Sequence, residues 1–318
     1  MNPNLAVNMK RRGGAVLQHD GKDLPRGIQT RRALPDDELG TLWDSIILDE
    51  RLKTQLLSQA VLNFTVRGKV DRQVLPLHGV ILLVGPPGTG KTSLARGLAH
   101  RVAKSFKGGQ FRMLEVDPHS VTSSAMGKTQ RAVSDLFATA IAETVEGGPT
   151  IVLLDEVETL AVDRSKLSLE ANPIDIHRAT DAVLVQLDAM AEKYPQLLFV
   201  ATSNFPEAVD EAFLSRCDLV MQVPLPDQKA CGQILTDCLT GLGKLYPAIS
   251  KLPKALHFER CVGECVGLDG RAIRKVVANA LASTPETAMD PNRVTLEQLV
   301  LAVKAAKTSR TMQGGKAT

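Results

Sequence analysis

Eight residues set the architecture of this chain: Gly85-Pro86-Pro87-Gly88-Thr89-Gly90-Lys91-Thr92. They match the pattern G-x-x-x-x-G-K-[ST], in which glycines let backbone N–H groups close around a polyphosphate. The apolar run Val80–Val84 comes directly before them and predicts a strand buried on both faces of a parallel sheet. Residues 93–99 follow with apolar side chains at helical spacing. A strand, a glycine-rich loop and a helix in this order predict a nucleotide site at the helix N-terminus.

The loop supplies the first candidate ligands. Residues from Gly85 to Thr92, together with Ser93, are expected to surround the phosphates of a bound nucleotide. Lys91 is expected to reach the β and γ phosphates, and the Thr92 hydroxyl to ligate Mg²⁺. A chance glycine turn would lack the strand and the helix on its two sides, so the context favours the phosphate site.

Two carboxylates follow a second apolar run, Thr150–Leu154. The carboxyl end of a buried strand faces the ligand crevice of an α/β sheet. Acids placed there are costly unless they have partners such as a metal ion and water. We therefore expect Asp155 to hold Mg²⁺, directly or through water, and Glu156 to polarise the attacking water. Two acids that cap a strand in solvent would look the same, but they would not accompany a phosphate loop.

Three further polar residues are placed to act on a nucleotide. Asn204 follows a strand and can hold the lytic water or contact the γ-phosphate, although an Asx turn would also explain it. Arg216 could act across a subunit boundary on a neighbour's γ-phosphate, or pair with Asp218 at the surface. Arg271 opens a helix from which it could bridge to the phosphates, but Arg274 lies one turn further on, and spacing alone does not choose between them.

Composition indicates an ordinary globular protein with a mostly aliphatic core. Of 318 residues, 44% are hydrophobic and 3% are aromatic, and the net charge is +3, which neither demands nor excludes a nucleic-acid partner. The five cysteines form no C-x-x-C pair, which favours reduced, buried thiols. No apolar run in the sequence reaches membrane-spanning length. We expect a soluble, cytoplasmic protein with no membrane partner.

The order of the predicted elements divides the chain into four parts. Residues 1–33 show no clear period and are expected to be flexible. Residues 34–226 alternate strands with helices, which predicts an α/β fold with a five-stranded parallel sheet. Residues 227–310 predict a small helical lid domain, whose last helix covers Leu296–Ala306, and residues 311–318 a frayed tail. The predicted strands are Val80–Val84, Phe111–Asp117, Thr150–Leu154, Leu197–Thr202 and Leu219–Val223.

The order of these motifs resembles that of the AAA+ ATPases. Within them, the chain is similar to the pachytene-checkpoint (thyroid-receptor-interactor) family, which remodels HORMA-domain proteins. The resemblance runs from about Leu34 to the C-terminus. Two segments make the resemblance specific to this family rather than to nucleotide-binding proteins in general. They are Leu-Trp-Asp-Ser at residues 42–45 and Ala-Val-Leu-Val-Gln-Leu-Asp at residues 182–188.

The resemblance implies a role for each candidate residue. These roles are Walker A for Lys91 and Thr92, Walker B for Asp155 and Glu156, sensor 1 for Asn204, the trans arginine finger for Arg216, sensor 2 for Arg271, and adenine contact for Ile46 and Ile47. It also implies bound ATP and Mg²⁺.

The family's hexamers thread a partner's terminal segment through a central pore. The first pore loop falls on Ser123-Ser124-Ala125-Met126-Gly127. Relatives have an aromatic–apolar pair where this chain has Ala125-Met126, although a methionine can still wedge against an extended peptide. Eukaryotic relatives also carry a folded N-terminal recognition domain. The short segment 1–33 resembles instead the bacterial relatives encoded with HORMA proteins and second-messenger synthases in antiphage defence.

The resemblance implies an ATP-hydrolysing homo-hexamer that threads and partly unfolds a HORMA-domain partner. In a CBASS-type antiphage operon this would switch off an activated nucleotidyltransferase. The alternative is a nucleic-acid-handling AAA+ protein such as a clamp or helicase loader, which would need a basic groove and stacking aromatics. The charge of +3 and the 3% aromatic content disfavour it. A non-catalytic nucleotide switch is disfavoured because both Walker carboxylates are present.

Overall fold

The computed structural model of the chain describes residues 24–118, 129–162 and 173–314. The strands of this part are β1 Ile28–Leu34, β2 Val80–Val84, β3 Phe111–Val116, β4 Thr150–Leu154, β5 Leu197–Ser203 and β6 Leu219–Gln222. They form one sheet in the order β1-β3-β4-β5-β2-β6. Strands β2 to β6 run parallel, as predicted, and their carboxyl ends therefore meet at one edge of the sheet.

The prediction of five strands was wrong by one. The additional strand is β1, which pairs antiparallel with β3. It lies almost wholly within residues 1–33, the segment that was expected to be flexible. Only its end residues Ile28 and Leu34 are buried, at 8% and 5% exposure, so the strand has little apolar alternation to reveal it. Its position depends on pairing with β3, where Leu34 lies opposite Phe111. Residues 1–23 lie outside the described part of the chain.

Helices surround the sheet and make up the C-terminal part of the described chain. Those up to the last strand are α1 Asp37–Ser45, α2 Glu50–Val66, α3 Lys91–Ser105, α4 Thr129–Asp135, α5 Ala142–Glu146, α6 Pro173–Lys193 and α7 Glu211–Leu214. A π-helical segment, Leu136–Ile141, joins α4 to α5. Those beyond the sheet are α8 Gln228–Gly243, α9 Phe258–Cys265, α10 Gly270–Leu281, α11 Pro285–Met289 and α12 Leu296–Gly314. Short 3₁₀ turns cover Val157–Thr159, Pro206–Ala208, Ile249–Lys254 and Pro291–Arg293.

The last helix is longer than predicted. The sequence indicated its end at Ala306, with a frayed tail from residue 311, but α12 continues to Gly314. Its apolar pattern fades after Ala306, whereas residues such as Lys307 and Met312 favour the helix without needing a buried face. The division of the chain into an ATPase domain and a lid at residue 227 stays a prediction.

Buried residues form three clusters that explain this arrangement. Neighbouring residues of β2 alternate between two of them: Leu82 packs with α5 and α6 on one face, and Leu83 packs with α1 and α3 on the other. A third cluster joins helices α8, α9, α10 and α12. None of the helices within the described residues is both long and apolar enough to cross a bilayer.

The connection between α1 and α2 is placed by close helix packing. Gly97 of α3 faces Trp43 of α1, and a Cβ atom at Gly97 would lie 2.6 Å from the Trp43 backbone nitrogen. Asp49 then caps α2 by accepting a hydrogen bond from the Arg51 N–H. Ile46 and Ile47 lie between the two helices, and a Cβ atom at Gly90, the residue before α3, would lie 2.5 Å from Ile46 Cδ1.

Candidate nucleotide site

The phosphate loop runs from the end of β2 to the first residue of α3. Gly90 precedes the helix with φ of 94°, a left-handed conformation that favours glycine, and α3 begins at Lys91. None of the described side chains caps this helix start, so its first N–H groups stay open to an anion. Gly88, with φ of 82°, lies so near the lid that an added Cβ would come 2.3 Å from an Asp269 carboxylate oxygen.

The Lys91 ammonium is buried at the base of this loop. Its Nζ donates to the Gly85 carbonyl at 2.7 Å, the Pro86 carbonyl at 2.9 Å and the Asn204 side-chain oxygen at 2.8 Å. Burial lowers the pKa of Lys91, while the charges of Glu158, Asp155 and Glu156 oppose that change. Because all three hydrogen-bond acceptors are neutral, the positive charge is not cancelled by direct contact. The arrangement fits a bound anion.

Thr92 and Asp155 meet at the edge of the sheet. The Thr92 hydroxyl donates to Asp155 Oδ1 at 2.8 Å, and the Thr202 hydroxyl donates to the same oxygen at 2.5 Å. A hydroxyl beside a carboxylate is an oxygen donor set that suits Mg²⁺. These residues therefore fit the predicted metal site. Thr202 was not among the predicted residues, although the segment Thr202-Ser203-Asn204 contains it.

Glu156 has an unusual backbone conformation for its residue type. Its φ and ψ are both 54°, in the left-handed region that a residue with a Cβ seldom adopts. The Glu156 N–H donates to the Thr202 hydroxyl at 3.2 Å, which helps to hold this turn. The turn brings the Glu156 carboxylate within 3.3 Å of the Asn204 amide nitrogen, which donates to it.

Asn204 connects the lysine to the glutamate. Its side-chain oxygen accepts from Lys91 and its amide nitrogen donates to Glu156, while its backbone N–H donates to Glu158 at 3.1 Å. The side chain therefore spans the site, which favours the predicted site role over a simple Asx turn. We call Lys91, Thr92, Asp155, Glu156 and Asn204 the phosphate cluster.

The lid helix α10 begins against the phosphate loop. The Arg271 backbone N–H donates to the Gly88 carbonyl at 3.4 Å, and the Arg271 charge contributes to lowering the pKa of Lys91, after burial. Arg274 is held elsewhere, because its guanidinium donates to the carbonyls of Ser45 and Gly270 at 3.2 and 3.3 Å. The geometry favours Arg271 as the residue nearer the phosphates.

Two residues that the sequence did not single out support this contact. Asp269 is 3% exposed and caps α10 by accepting from the Ala272 N–H at 2.8 Å. Its second oxygen pairs with Arg310 of α12.

Ile46 and Ile47 lie at the same junction: Ile46 packs with the core of the sheet, and Ile47 with the core of the C-terminal helices. An apolar pair between two cores suits a flat adenine ring.

Arg216 does not pair with Asp218, so that alternative was wrong. Its Nε and Nη2 donate to the two carboxylate oxygens of Asp188, at 2.9 and 2.7 Å. Asp218 instead accepts from the backbone N–H groups of His78, Gly79 and Val80.

The contact between Arg216 and Asp188 is charge-assisted. The hydrogen bonds that Asp188 accepts from Arg216 lower the pKa of Asp188 and raise the pKa of Arg216. None of the described hydrogen bonds or ion pairs of Arg216 joins it to the phosphate cluster. The predicted pore loop, residues 123–127, lies outside the described residues.

The fold and the phosphate cluster together define an α/β nucleotide-binding protein of the phosphate-loop class. The profile of the ATPase family associated with various cellular activities (AAA) matches residues 81–225. CD-NTase-associated protein 6 of Pseudomonas aeruginosa is 71% identical over 293 residues, which make up 92% of this chain and 96% of that protein. The pachytene checkpoint protein 2 homolog of Danio rerio is 33% identical over 80% of this chain and 66% of its own length.

Solved structures agree with this relationship. The structure of C. elegans PCH-2 matches with a TM-score of 0.69 and 26% identity, covering 90% of this chain and 77% of that one. A chain of the E. coli MS115-1 HORMA:CdnC:Trip13 complex has the same fold, with a TM-score of 0.69 at 18% identity, covering 87% of this chain and 94% of that one. The chain belongs to the pachytene checkpoint protein 2 family of AAA ATPases, which confirms the resemblance seen in its sequence.

Proposed function

We propose that this chain hydrolyses ATP as a homo-hexamer and uses the energy to thread and partly unfold a HORMA-domain partner. The observation that carries the proposal is the hydrogen-bonded path from Lys91 through Asn204 to Glu156. It connects a buried cation that can bind phosphate to a carboxylate that can act on water. This contact supports the proposal that the two groups act together in hydrolysis.

Each residue of the phosphate cluster then has a separate task. The open N–H groups of α3 and the Lys91 ammonium bind the β and γ phosphates. Thr92 and Asp155 are the residues that would hold Mg²⁺, which neutralises phosphate charge when bound. Glu156 orients and polarises the attacking water, and Asn204 fixes the carboxylate of Glu156 relative to the γ-phosphate.

Two further arginines extend the site beyond the sheet. Arg271 lies at the start of the lid helix, where its charge can sense the nucleotide and couple it to lid position. Arg216 lies apart from its own phosphate cluster, so in the hexamer it acts on the nucleotide of the adjoining subunit. Hydrolysis in one subunit thereby depends on its neighbour, and the pore loops move together with nucleotide state.

The names of two relatives support a proposal for the class of partner. The name of the Pseudomonas relative associates it with a CD-NTase, and the E. coli structure contains HORMA and CdnC beside a Trip13 chain. By analogy, the client of this chain is a HORMA-domain protein bound to a nucleotidyltransferase. Opening the HORMA domain releases the enzyme and ends its activation, as a CBASS-type defence system requires. We place this activity in the bacterial cytoplasm.

A trapping variant tests the proposal. Glu156→Gln keeps the shape of the side chain but cannot polarise water, so we expect ATP binding without turnover. The variant with ATP should capture the purified HORMA-domain protein of the same operon, whereas with ADP it should not. Lys91→Ala should neither bind ATP nor capture the partner. Glu143→Gln, on the exposed surface of α5, should behave as the unchanged chain.

Two results would contradict this account. Turnover by Glu156→Gln at the rate of the unchanged chain would remove Glu156 from the hydrolytic step. If Glu156→Gln loses turnover as expected but does not capture the HORMA protein in the presence of ATP, the chain is an ATPase whose client belongs to another class of protein.

A further inference from the structure

Arg216 is anchored by a residue for which the proposed mechanism has no role. Asp188 lies on α6, in the segment 182–188 that narrowed the sequence resemblance. Its two oxygens accept from Nε and Nη2 of Arg216 at 2.9 and 2.7 Å. A two-bond contact between a carboxylate and a guanidinium fixes the plane of the arginine group as well as its position.

Two N–H donors of Arg216 remain for a second anion. A guanidinium carries five N–H donors, of which two go to Asp188. Nη1 donates a third to the Ala212 carbonyl at 2.6 Å. One N–H on each terminal nitrogen then has no acceptor among the residues that the structure describes. Two N–H groups on neighbouring nitrogens are what arginine uses to grip a phosphate.

The surroundings of Asp188 make Arg216 its main partner. The Arg216 side chain is 23% exposed and that of Asp188 is 42% exposed, so the pair lies at the surface with one side open. His78 Nε2 lies 4.0 Å from Asp188, and the charge of Arg72 also lowers the pKa of Asp188, after the contributions of Arg216 and His78. Burial lowers the pKa of His78, which favours the uncharged ring, whereas Arg216 makes two charge-assisted bonds to the carboxylate.

We propose that Asp188 is the positioning residue that directs Arg216 toward the nucleotide of the adjoining subunit. This inference rests on the proposed trans role of Arg216. Asp188 itself touches no nucleotide, so it acts on the rate of hydrolysis rather than on ATP binding. Without its carboxylate, the guanidinium loses two of its three anchors and turns among rotamers that do not reach the phosphate.

Steady-state ATP turnover by four variants tests the inference. They are Asp188→Asn, Arg216→Ala, the double variant, and the control Glu192→Gln, which changes an exposed acid on the same helix. For Asp188→Asn we expect kcat to fall between about tenfold and about a hundredfold, because misaligned groups lose that much. The KM for ATP should stay within about twofold. The double variant should be no slower than Arg216→Ala, since Asp188 acts only through that arginine.

The outcomes separate the inference from the function on which it rests. If Arg216→Ala has a lowered kcat but Asp188→Asn keeps the kcat of the unchanged chain, the positioning role of Asp188 is wrong, while the proposed trans role of Arg216 is retained. If Arg216→Ala keeps full kcat, the proposed finger itself fails. A double variant slower than Arg216→Ala would show that Asp188 acts by another route. Should Asp188→Asn not fold, Asp188→Glu keeps the charge and is expected to give an intermediate kcat, whereas an unchanged kcat would overturn the inference.

Discussion

Thr202 connects the two carboxylates of the site through a single hydroxyl group. It is 2% exposed, donates to Asp155 and accepts from the backbone N–H of Glu156. One oxygen thus fixes both the side chain expected to hold Mg²⁺ and the turn that carries the proposed general base. Mutation of residues that orient metal ligands in this way typically costs about 10- to 100-fold in metal affinity or activity.

We predict that Thr202→Val weakens the response of turnover to Mg²⁺ by about tenfold or more, because Asp155 loses its orienting hydrogen bond. Thr202→Ser keeps the hydroxyl and should retain the Mg²⁺ response of the unchanged chain. The measurement is a Mg²⁺ titration of ATP turnover. Equal half-saturation in the valine and serine variants would show that Thr202 plays no part in holding Asp155.

Single residues also show what a sequence can reveal of such a site. Lys91, Thr92, Asp155, Glu156 and Asn204 were predicted because each follows a buried strand or belongs to the phosphate loop. Their hydrogen-bonded contacts in the structure agree with that prediction, while their chemical roles remain proposals. Asp188 and Asp269 gave no such signal. Asp188 meets Arg216 from 28 residues away, and a contact of that kind leaves no local pattern.

At the scale of elements, one aspartate contacts helix α10, helix α12 and the phosphate loop. Asp269 Oδ1 caps α10, and the second carboxylate oxygen pairs with Arg310 of α12. The same carboxylate packs against Gly88, where there is no room for a Cβ atom. The lid, the last helix and the loop therefore meet at a single side chain, which couples any movement of one to the others.

Substitutions of Asp269 should separate its two contacts. Asp269→Asn can still cap α10 but loses the ion pair, whereas Asp269→Ala loses both. We expect the alanine variant to be less stable than the asparagine variant by about 0.5 to 2 kcal/mol, the usual value of an N-cap. Urea unfolding measures this difference, with Arg310→Gln as the control for the ion pair alone. Equal stability of the two Asp269 variants would mean that the cap contributes nothing.

The elements also differ in how far local pattern determines them. The buried strands β2, β4 and β5 were predicted to within a residue because each is a continuous apolar run. Strand β1 was missed because it depends on pairing with β3, and pairing partners are not encoded within the strand itself. The end of α12 was missed for a similar reason, since helix propensity extends it beyond its apolar face.

At the scale of the whole molecule, the phosphate cluster and Arg216 lie apart. At the carboxyl edge of the sheet, Lys91 bonds to Asn204, and Thr92 and Thr202 both bond to Asp155. Arg216 bonds instead to residues of α6 and α7. Under the proposed trans role, Arg216 acts on the nucleotide of a neighbouring chain rather than on that of its own phosphate cluster. The proposal of a ring follows from this separation together with the family relationship.

Mixed hexamers test that claim most directly. Arg216→Ala subunits keep a complete phosphate cluster but lack the finger, and Glu156→Gln subunits keep the finger but cannot hydrolyse ATP. Each variant alone should turn over ATP at a background rate. Mixtures should turn over ATP faster than the summed rates of the two variants measured separately, with a maximum at intermediate mixing ratios. If native mass spectrometry shows mixed rings whose turnover never rises above that sum, Arg216 does not act across the subunit boundary.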